Sequence, residues 1–319
     1  MRAVLLSSLF VVAAAVAACS ATGGPAQFTS GAGGAGSAGS NGSTGGGTNL
    51  GGGFATVATG AGSGGGQSGC SAAAELVYVF GLDDNIYSFD PPSKVFTQVA
   101  TPDCPTTGQP NSMAIDRDLV AWLNYFDFNG GGIYTFDLKK GTGCQLAIDL
   151  PPGFTQIGMG FSSDAVGSTA ETLYVDGIGG GGLARVDMAT MSLVTIGAFG
   201  NDPNLTGQSA ELTGTGDAKL YGYFTTFPNV RVAQVDKLTG NILSDNELPG
   251  VAPPSDWAFS FWGGDFYLYA APGSNTSGNS SVIHYNPTTS LVEPTYVADV
   301  GFAIIGAGVS TCAPVKPPN

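Results

Sequence analysis

The chain has 319 residues, of which 51 are glycine and only 11% are charged, and its formal net charge is −14. Lysine and arginine form no cluster, so the basic stripe that neutralises phosphates is absent and we expect no nucleic-acid partner. Glycine is concentrated between residues 20 and 69, whereas the sequence from residue 75 onward alternates apolar, aromatic and polar residues. Only this second part can bury a core, and its roughly 240 residues suffice for one domain.

The N-terminus has the layout of a secretory signal: Arg2, an apolar run over residues 4–18, and small residues before Cys19. Residues 16–19 (VAAC) resemble the bacterial lipobox, in which the signal is cut before a cysteine that receives a diacylglyceryl group. The alternative is an ordinary signal peptide that ends at a cysteine by chance. Ser20 follows the cysteine, and by this resemblance it favours the outer membrane of a bacterial envelope.

The composition predicts four segments. Residues 1–18 are the signal peptide, and residues 19–70 are the lipidated cysteine followed by a disordered Gly/Ser-rich linker. Residues 71–315 form the folded domain, and residues 316–319 are a frayed tail. About 50 flexible residues reach roughly 40 Å, so the linker would act as a tether that lifts the domain off a lipid surface.

Five similar segments follow one another in the domain. Each is a short strand that ends in aspartate or asparagine, then a turn, then another strand. The residues at the strand ends are spaced by 47, 50, 49 and 50 positions, and they are Asp90, Asp137, Asp187, Asp236 and Asn286.

A second strand of aromatic and β-branched residues precedes each segment, and a third strand precedes four of these five. Each unit therefore holds four strands in just under 50 residues, which is the size of a β-propeller blade. The first unit lacks its innermost strand, and one strand is left over at the C-terminus, over residues 302–312. Because propellers complete one blade with strands from both termini, this last strand should be the inner strand of blade one.

This periodicity resembles that of the five-bladed β-propellers, and the whole chain resembles uncharacterised Gly-rich lipoproteins of myxobacteria. The resemblance covers residues 71–315 and implies an all-β ring of five four-stranded blades. Neither a kelch nor a WD-repeat motif is present. The resemblance therefore bears on the fold and not on the function.

Five cysteines in an exported protein would leave one unpaired, but lipidation of Cys19 leaves four. Ring closure places Cys70 beside Cys312, and Cys104 and Cys144 flank blade two, so we expect these two disulfides in an oxidising compartment. Metal binding by these cysteines is disfavoured because no Cys-x-x-Cys spacing occurs and His284 is the only histidine.

The aspartates and asparagine at the strand ends are interpreted as turn caps, because a residue repeated in every blade is explained by hydrogen bonding to turn amides. His284 aligns with polar residues in the other blades, so we interpret it as a solvated position and predict no metal site and no catalytic triad. Two acidic loops, residues 82–85 (LDDN) and 201–204 (NDPN), leave calcium binding open, although turn chemistry explains both.

Three acids, Asp116, Glu211 and Asp256, lie on or at the start of inner strands. Five-bladed propellers include glycoside hydrolases with carboxylates around the central channel, so these acids should converge there if the protein is such a hydrolase or a lyase. They match no catalytic motif, and we predict no catalytic residues.

Aromatic residues in loops at a propeller face are the better candidates for ligand contact, because sugars and peptides stack on exposed rings. Together with one acid, the ligand-binding candidates are Trp257, Tyr125, Phe126, Phe227 and Asp256. The blades diverge outside the repeated positions, which favours a single composite site over five equivalent ones. The sequence therefore predicts a monomeric, lipid-anchored, non-enzymatic binding protein for a glycan or a peptide. A surface glycoside hydrolase or lyase and a structural envelope component are the alternatives.

Overall fold

The computed structural model describes residues 70–271 and 278–318. The predicted signal peptide, Cys19 and the predicted linker up to residue 69 lie outside the described residues. Within those residues, no helix is long and apolar enough to cross a membrane. The first regular element is a short 3₁₀ helix, Ala72–Glu75, which Ser71 caps by accepting a hydrogen bond from the amide of Ala74.

In the described part of the chain, twenty strands form five separate four-stranded antiparallel sheets, which are the five blades of a β-propeller. Each inner strand contacts the inner strands of the two neighbouring blades, so the five close a ring. In order from blade one to blade five, the inner strands are β20 (Ile304–Val309), β4 (Gln109–Ile115), β8 (Ile157–Ser163), β12 (Ala210–Gly214) and β16 (Asp256–Trp262).

The second strand of each blade is buried on both faces because it lies between two neighbouring blades, which explains its nearly continuous apolar sequence. The second strands are β1 (Val77–Gly81), β5 (Val120–Asp127), β9 (Glu171–Gly177), β13 (Leu220–Phe224) and β17 (Asp265–Ala271). The third strands are β2 (Ile86–Asp90), β6 (Gly130–Asp137), β10 (Gly182–Asp187), β14 (Arg231–Val235) and β18 (Ser281–Asn286).

The outer strands are largely exposed, and the turns that lead into them carry the repeated aspartates and asparagine. These strands are β3 (Val95–Ala100), β7 (Thr142–Leu150), β11 (Ser192–Gly197), β15 (Ile242–Glu247) and β19 (Leu291–Val297). In blades two to five the side-chain oxygen accepts hydrogen bonds from turn amides, as at Asp137. Asp90 instead accepts from the Ser93 hydroxyl, because the two residues after it are prolines without an amide hydrogen. The turn-cap interpretation is confirmed.

The hydrophobic core is divided into five clusters, and each cluster lies between two adjacent blades. Alternate residues of one strand supply opposite clusters. Tyr78 and Phe80 of β1 pack against blade two, whereas Val77 and Val79 pack against blade five. This is the two-residue period of a strand, used on both faces at once.

The ring closes through β20, which pairs with β1 in the register Val77↔Val309 and Tyr78↔Gly308. The prediction that the C-terminal strand completes blade one is therefore confirmed. A disulfide joins Cys70 to Cys312 next to this pair, with Cα atoms 5.7 Å apart, and a second joins Cys104 to Cys144. Both predicted pairings are confirmed.

Close approach of the inner strands depends on glycine. A Cβ atom on Gly158 of β8 would lie 2.0 Å from the carbonyl oxygen of Ala210, and one on Gly214 of β12 would lie 2.1 Å from that of Phe161. Real Cβ atoms do not approach backbone so closely, so a side chain at either position would force neighbouring blades apart. Glycine therefore sets the narrow spacing of the ring at these positions.

Candidate functional site

The candidate site is a cavity of about 220 Å³ at the end of the ring where the inner strands begin. We call it the channel-mouth cavity. Four of the inner strands contribute their first residues, and β20 contributes Ile305. Its polar and aromatic lining includes Gln109, Asn111, Phe126, Gln156, Asp176, Ser209, Glu211, Asp256 and Trp257. All five blades therefore contribute to one cavity, and they contribute different side chains.

Asp176 is the most buried carboxyl of this lining, with 1% of its surface exposed. It lies near the end of β9, opposite Gly158 in the register with β8. Its Oδ2 accepts a hydrogen bond of 2.7 Å from the amide of Ala210 in blade four, whereas its Oδ1 is buried without a partner. Burial raises the pKa of Asp176 to about 8, although the Ala210 amide partly offsets this effect.

Glu211 lies beside Asp176 and reaches across the channel. Its Oε2 accepts a hydrogen bond of 2.9 Å from the hydroxyl of Ser112, so the contact links blade four to blade two. Burial raises the pKa of Glu211 well above its usual range, the Ser112 hydroxyl lowers it, and the Asp176 carboxyl raises it again. Burial therefore favours the protonated form of both carboxyls.

Asp256 and Trp257 begin β16 and form another side of the cavity. Burial also raises the pKa of Asp256. In the part of the chain that the structure describes, no protein group donates a hydrogen bond to the Asp256 carboxyl. The indole Nε1 of Trp257 is buried and likewise has no partner. Two lining residues, Asp176 and Trp257, thus each hold a buried polar atom without a protein partner, which is costly unless a ligand or ordered water meets it.

The structure places three of the five predicted ligand-binding residues in the lining of the cavity and two outside it. Phe126, Asp256 and Trp257 line the channel-mouth cavity. Tyr125 is 4% exposed and packs edge-to-face on Phe80, so most of its ring belongs to the core between blades one and two. Phe227 is 88% exposed and does not line this cavity.

The three acids weighed for hydrolysis do not all converge. Glu211 and Asp256 share the cavity, but Asp116 follows the opposite end of β4, seven residues from Gln109, or about 23 Å along a strand. The Asp116 carboxyl caps a turn there by accepting from the amides of Asp118 and Val120. The convergence of all three carboxyls that a hydrolase built on these acids would require is therefore absent, because Asp116 lies at the other end of the ring.

His284 is not the solvated position that its alignment suggested. Its side chain is 13% exposed, and its two ring nitrogens lie 2.6 Å from Glu293 Oε2 and 2.8 Å from Asp265 Oδ2. Its ring also stacks on Tyr267 of β17, with the centroids 5.2 Å apart. Alignment of the repeats compares residue types only, so it cannot show that two acids from neighbouring strands enclose this histidine.

The acidic loops form local turns. Asp83 accepts from the amide of Asn85, and Asp202 accepts from the amide of Asn204. Among the residues of known placement, no group of three or more acidic, histidine or cysteine side chains is arranged to hold a metal ion.

A further carboxyl, that of the partly buried Glu171, lies at the other end of the ring. It accepts hydrogen bonds from the amide of Arg117 and from the hydroxyl of Thr311, which precedes Cys312. The Arg117 guanidinium also donates to Thr311 and lies 3.2 Å from the sulfur of Cys70. This group ties the closing strand to blades two and three, so we assign it to ring closure and not to a ligand site.

Sequence reasoning missed Asp176, although a signal for it was present. Aligned on their tyrosines, the second strands of blades one and three read LVYVF and TLYVD, so Asp176 occupies the position of the core residue Phe80. An acid at a position that is otherwise buried and apolar is a candidate for function, because its burial is costly.

No protein-family model matches this sequence, and no curated protein is significantly similar to it. Several solved structures are similar in fold. A hydrazine synthase from Kuenenia stuttgartiensis shares 13% identity with a TM-score of 0.40, over 66% of this chain and 59% of that one. A calcium-binding protein, regucalcin, from Agrobacterium tumefaciens shares 15% identity with a TM-score of 0.42, over 74% of this chain and 75% of that one.

A third similar structure is an auxiliary nutrient binding protein from Bacteroides thetaiotaomicron. It shares 12% identity with a TM-score of 0.43, over 69% of this chain and 53% of that one. The chain thus spans little more than half the length of the first and third of these proteins. At such low identity and TM-score the similarities carry no argument about ligand or activity, and the five-bladed propeller rests on the strand pairing of this chain.

Proposed function

We propose that this protein is a small-molecule binding protein of a bacterial cell envelope, with the channel-mouth cavity as its single composite site. The observation that carries the proposal is that two residues lining this cavity, Asp176 and Trp257, each hold a buried polar atom without a protein partner, where all five blades meet. Concave sites with a few convergent polar groups in an apolar setting are the usual form of small-ligand sites.

The volume of the cavity narrows the size of ligand that it can hold. A glycan or a peptide was expected from the aromatic residues, but about 220 Å³ is below the roughly 300–1,000 Å³ of pockets that hold drug-sized molecules. The enclosed space therefore suits a small organic molecule, or one terminal group of a longer chain. Because the five blades present different residues, the site favours one ligand and not five copies of a repeated one.

The envelope location is supported by the VAAC sequence that ends at Cys19 and by the Gly-rich tether that follows it. Cys19→Ala should move the protein from the membrane fraction to the soluble fraction after cell lysis. Protein that remains in the membrane fraction, and that is released by neither salt nor alkali, would contradict lipid anchoring at this residue.

The binding function is tested by screening the purified protein against metabolite, glycan and peptide libraries, with and without calcium. The readout is the NMR resonance of the Trp257 indole N–H, which is assigned by its absence from Trp257→Phe. Ligands of the site should shift this resonance. Binding that leaves it unshifted would place the functional site elsewhere.

A second candidate function is hydrolysis of a glycoside, which two cavity carboxyls favour. The raised pKa of Glu211 suits a general acid, and Asp256 lies in the same cavity. The enclosure of Glu211, with 6% of its surface exposed, argues against access by a polysaccharide chain. Turnover of aryl glycosides that is lost in Glu211→Gln would support the enzyme, and turnover retained in this variant would exclude Glu211 as the acid.

A further inference from the structure

We propose that the channel-mouth cavity binds a small organic ammonium compound, held by Asp176, Glu211 and Asp256 and by the aromatic residues Phe126 and Trp257. This assignment rests on the proposed binding function and narrows it to one chemical class. All the residues that would hold this ligand belong to the part of the chain that the structure describes.

The charges of the lining support a cationic ligand. Three carboxyls line the cavity, and the lining residues that the structure describes include no lysine, arginine or histidine. No protein cation of this lining is therefore placed to balance these carboxyls when they ionise. The net charge of −14 adds a negative field that raises the local concentration of cations.

The unsatisfied atoms indicate a ligand that carries N–H donors. Asp176 lines the cavity, and its Oδ1 is buried without a protein donor. An ammonium N–H could donate to this oxygen, and a charge-assisted hydrogen bond of this kind is roughly twice as strong as a neutral one. The unpartnered Nε1 of Trp257 needs an acceptor, so the same ligand should carry a hydroxyl or another oxygen.

The aromatic residues fit the same class. Phe126 and Trp257 come from different blades, and both line the cavity. The faces of aromatic rings attract cations, and tryptophan is the most effective of them. A neutral sugar would also stack on such rings, so the ligand's charge has to be tested separately from its shape.

Protonation links binding to pH. The titratable groups around Asp176 are Glu211 from β12 and Asp256 from β16, whereas β4 and the residue before β8 present Asn111 and Gln156, which do not titrate. Burial raises the pKa of Asp176 to about 8 and also raises the pKa of Glu211, so a cation that pairs with the ionised Asp176 carboxylate would displace a proton. Affinity for a cation should therefore increase as pH rises toward 8, while affinity for a neutral analogue should not.

The experiment compares two probes of similar shape. Tyramine carries a primary ammonium and a hydroxyl, and tyrosol replaces the ammonium with a second hydroxyl. Each is titrated into the purified protein at pH 6 and pH 8, with the Trp257 indole resonance as the readout. We expect tyramine to bind about 10- to 50-fold more tightly at pH 8 than at pH 6, because about half of a group of pKa near 8 is ionised at pH 8 and about 1% at pH 6. Tyrosol should show no such change.

Two variants sharpen the test. Asp176→Asn keeps the shape of the side chain and removes its charge, so it should remove most of the pH dependence of tyramine binding. Asp149→Asn neutralises an exposed carboxyl that does not line this cavity, and it should leave the pH dependence intact.

The outcomes separate this inference from the proposed function. If tyrosol binds as tightly as tyramine at pH 8, or if neither compound shifts the resonance at millimolar concentration, the ammonium assignment is overturned. The binding function itself survives either result if another ligand from the library shifts the Trp257 resonance. Both the binding function of the cavity and the ammonium assignment fail if library ligands bind to the protein and leave the Trp257 resonance unshifted. The pH dependence of tyramine binding to the wild-type protein tests the assignment by itself. The test therefore does not require that a variant folds.

Discussion

Replacement of Asp176 by asparagine should stabilise the protein increasingly as pH rises. Asp176 has a folded-state pKa of about 8 against an ordinary value of 3.8. A raised pKa of an acid means that the folded state holds a proton that the unfolded chain has already released. Ionisation of Asp176 therefore does not reduce the free energy of unfolding below about pH 4. The free energy of unfolding falls as pH rises from about 4 through about 8, because the unfolded chain has released this proton and the folded protein still holds it. The Asp176→Asn variant has no ionisable group at this position, so it avoids this loss.

The size of the effect follows from the gap between 3.8 and about 8. At about 1.4 kcal/mol per pKa unit this gap corresponds to at most about 6 kcal/mol. Removing Asp176 also lowers the pKa of Glu211, because the two carboxyls repel each other. We therefore expect the stability difference between Asp176→Asn and wild type to shift by about 4–6 kcal/mol in favour of the variant between pH 4 and pH 8.

The assay is unfolding by guanidinium chloride at pH 4, 6 and 8, with both disulfides intact and the free energy of unfolding as the result. Asparagine can still accept from the Ala210 amide, but its buried NH₂ group costs about 1–3 kcal/mol, so the variant should be the less stable protein at pH 4. Asp149→Asn, on an exposed site of β7, is the matched control and should differ from wild type by the same amount at every pH. A difference for Asp176→Asn that stays constant, or that shifts toward wild type as pH rises, would refute the assigned burial of this carboxyl.

Three further predictions concern the ring and the site. Gly158→Ala should destabilise the protein by more than about 2 kcal/mol, because its Cβ would meet the backbone of blade four. Gly130→Ala is the control and should cost little, because no atom lies within 4 Å of the added Cβ. Chemical unfolding measures both variants. Replacing Cys70 and Cys312 by serine opens a 242-residue loop and should cost at most about 5 kcal/mol, against about 4 for the 40-residue loop of Cys104 and Cys144. An order opposite to loop length would contradict the entropic account. Phe126→Ala should weaken tyramine binding severalfold in the NMR titration, while Phe227→Ala, outside the cavity lining, should leave it unchanged.

The fold could be predicted from the sequence because every blade repeats the same physical requirements. A strand buried on two faces needs an apolar run such as that of β1, and a tight turn needs a cap such as Asp137. Repetition at a spacing of about 50 residues made these signals visible together, and the leftover C-terminal strand followed from the strand that blade one lacked. The two disulfides then followed from the positions of the strands.

The candidate site was only partly predictable, because it is built from the positions at which the blades differ. Trp257 and Asp256 were identified from their place at the start of an inner strand, and Phe126 from its place beside a loop. Asp176 lies on a second strand, and it reaches the cavity only because Gly158 allows β8 to approach blade four. Asp116 and Glu211 are both on or next to inner strands, yet they lie at opposite ends of the ring. Glu211 lies near the start of its inner strand and Asp116 follows the end of its own. The spacing of the repeats does not show at which end of the ring a residue lies.

The assignment of the ligand site to the channel-mouth cavity has a decisive crystallographic test. Crystals of the protein are soaked with a library of small organic compounds that contains both amines and neutral molecules. We expect electron density for bound compounds between Asp176 and Trp257, with an amine nitrogen within hydrogen-bond distance of Asp176 Oδ1. Compounds bound reproducibly at another surface, with this cavity holding only water, would contradict the assignment.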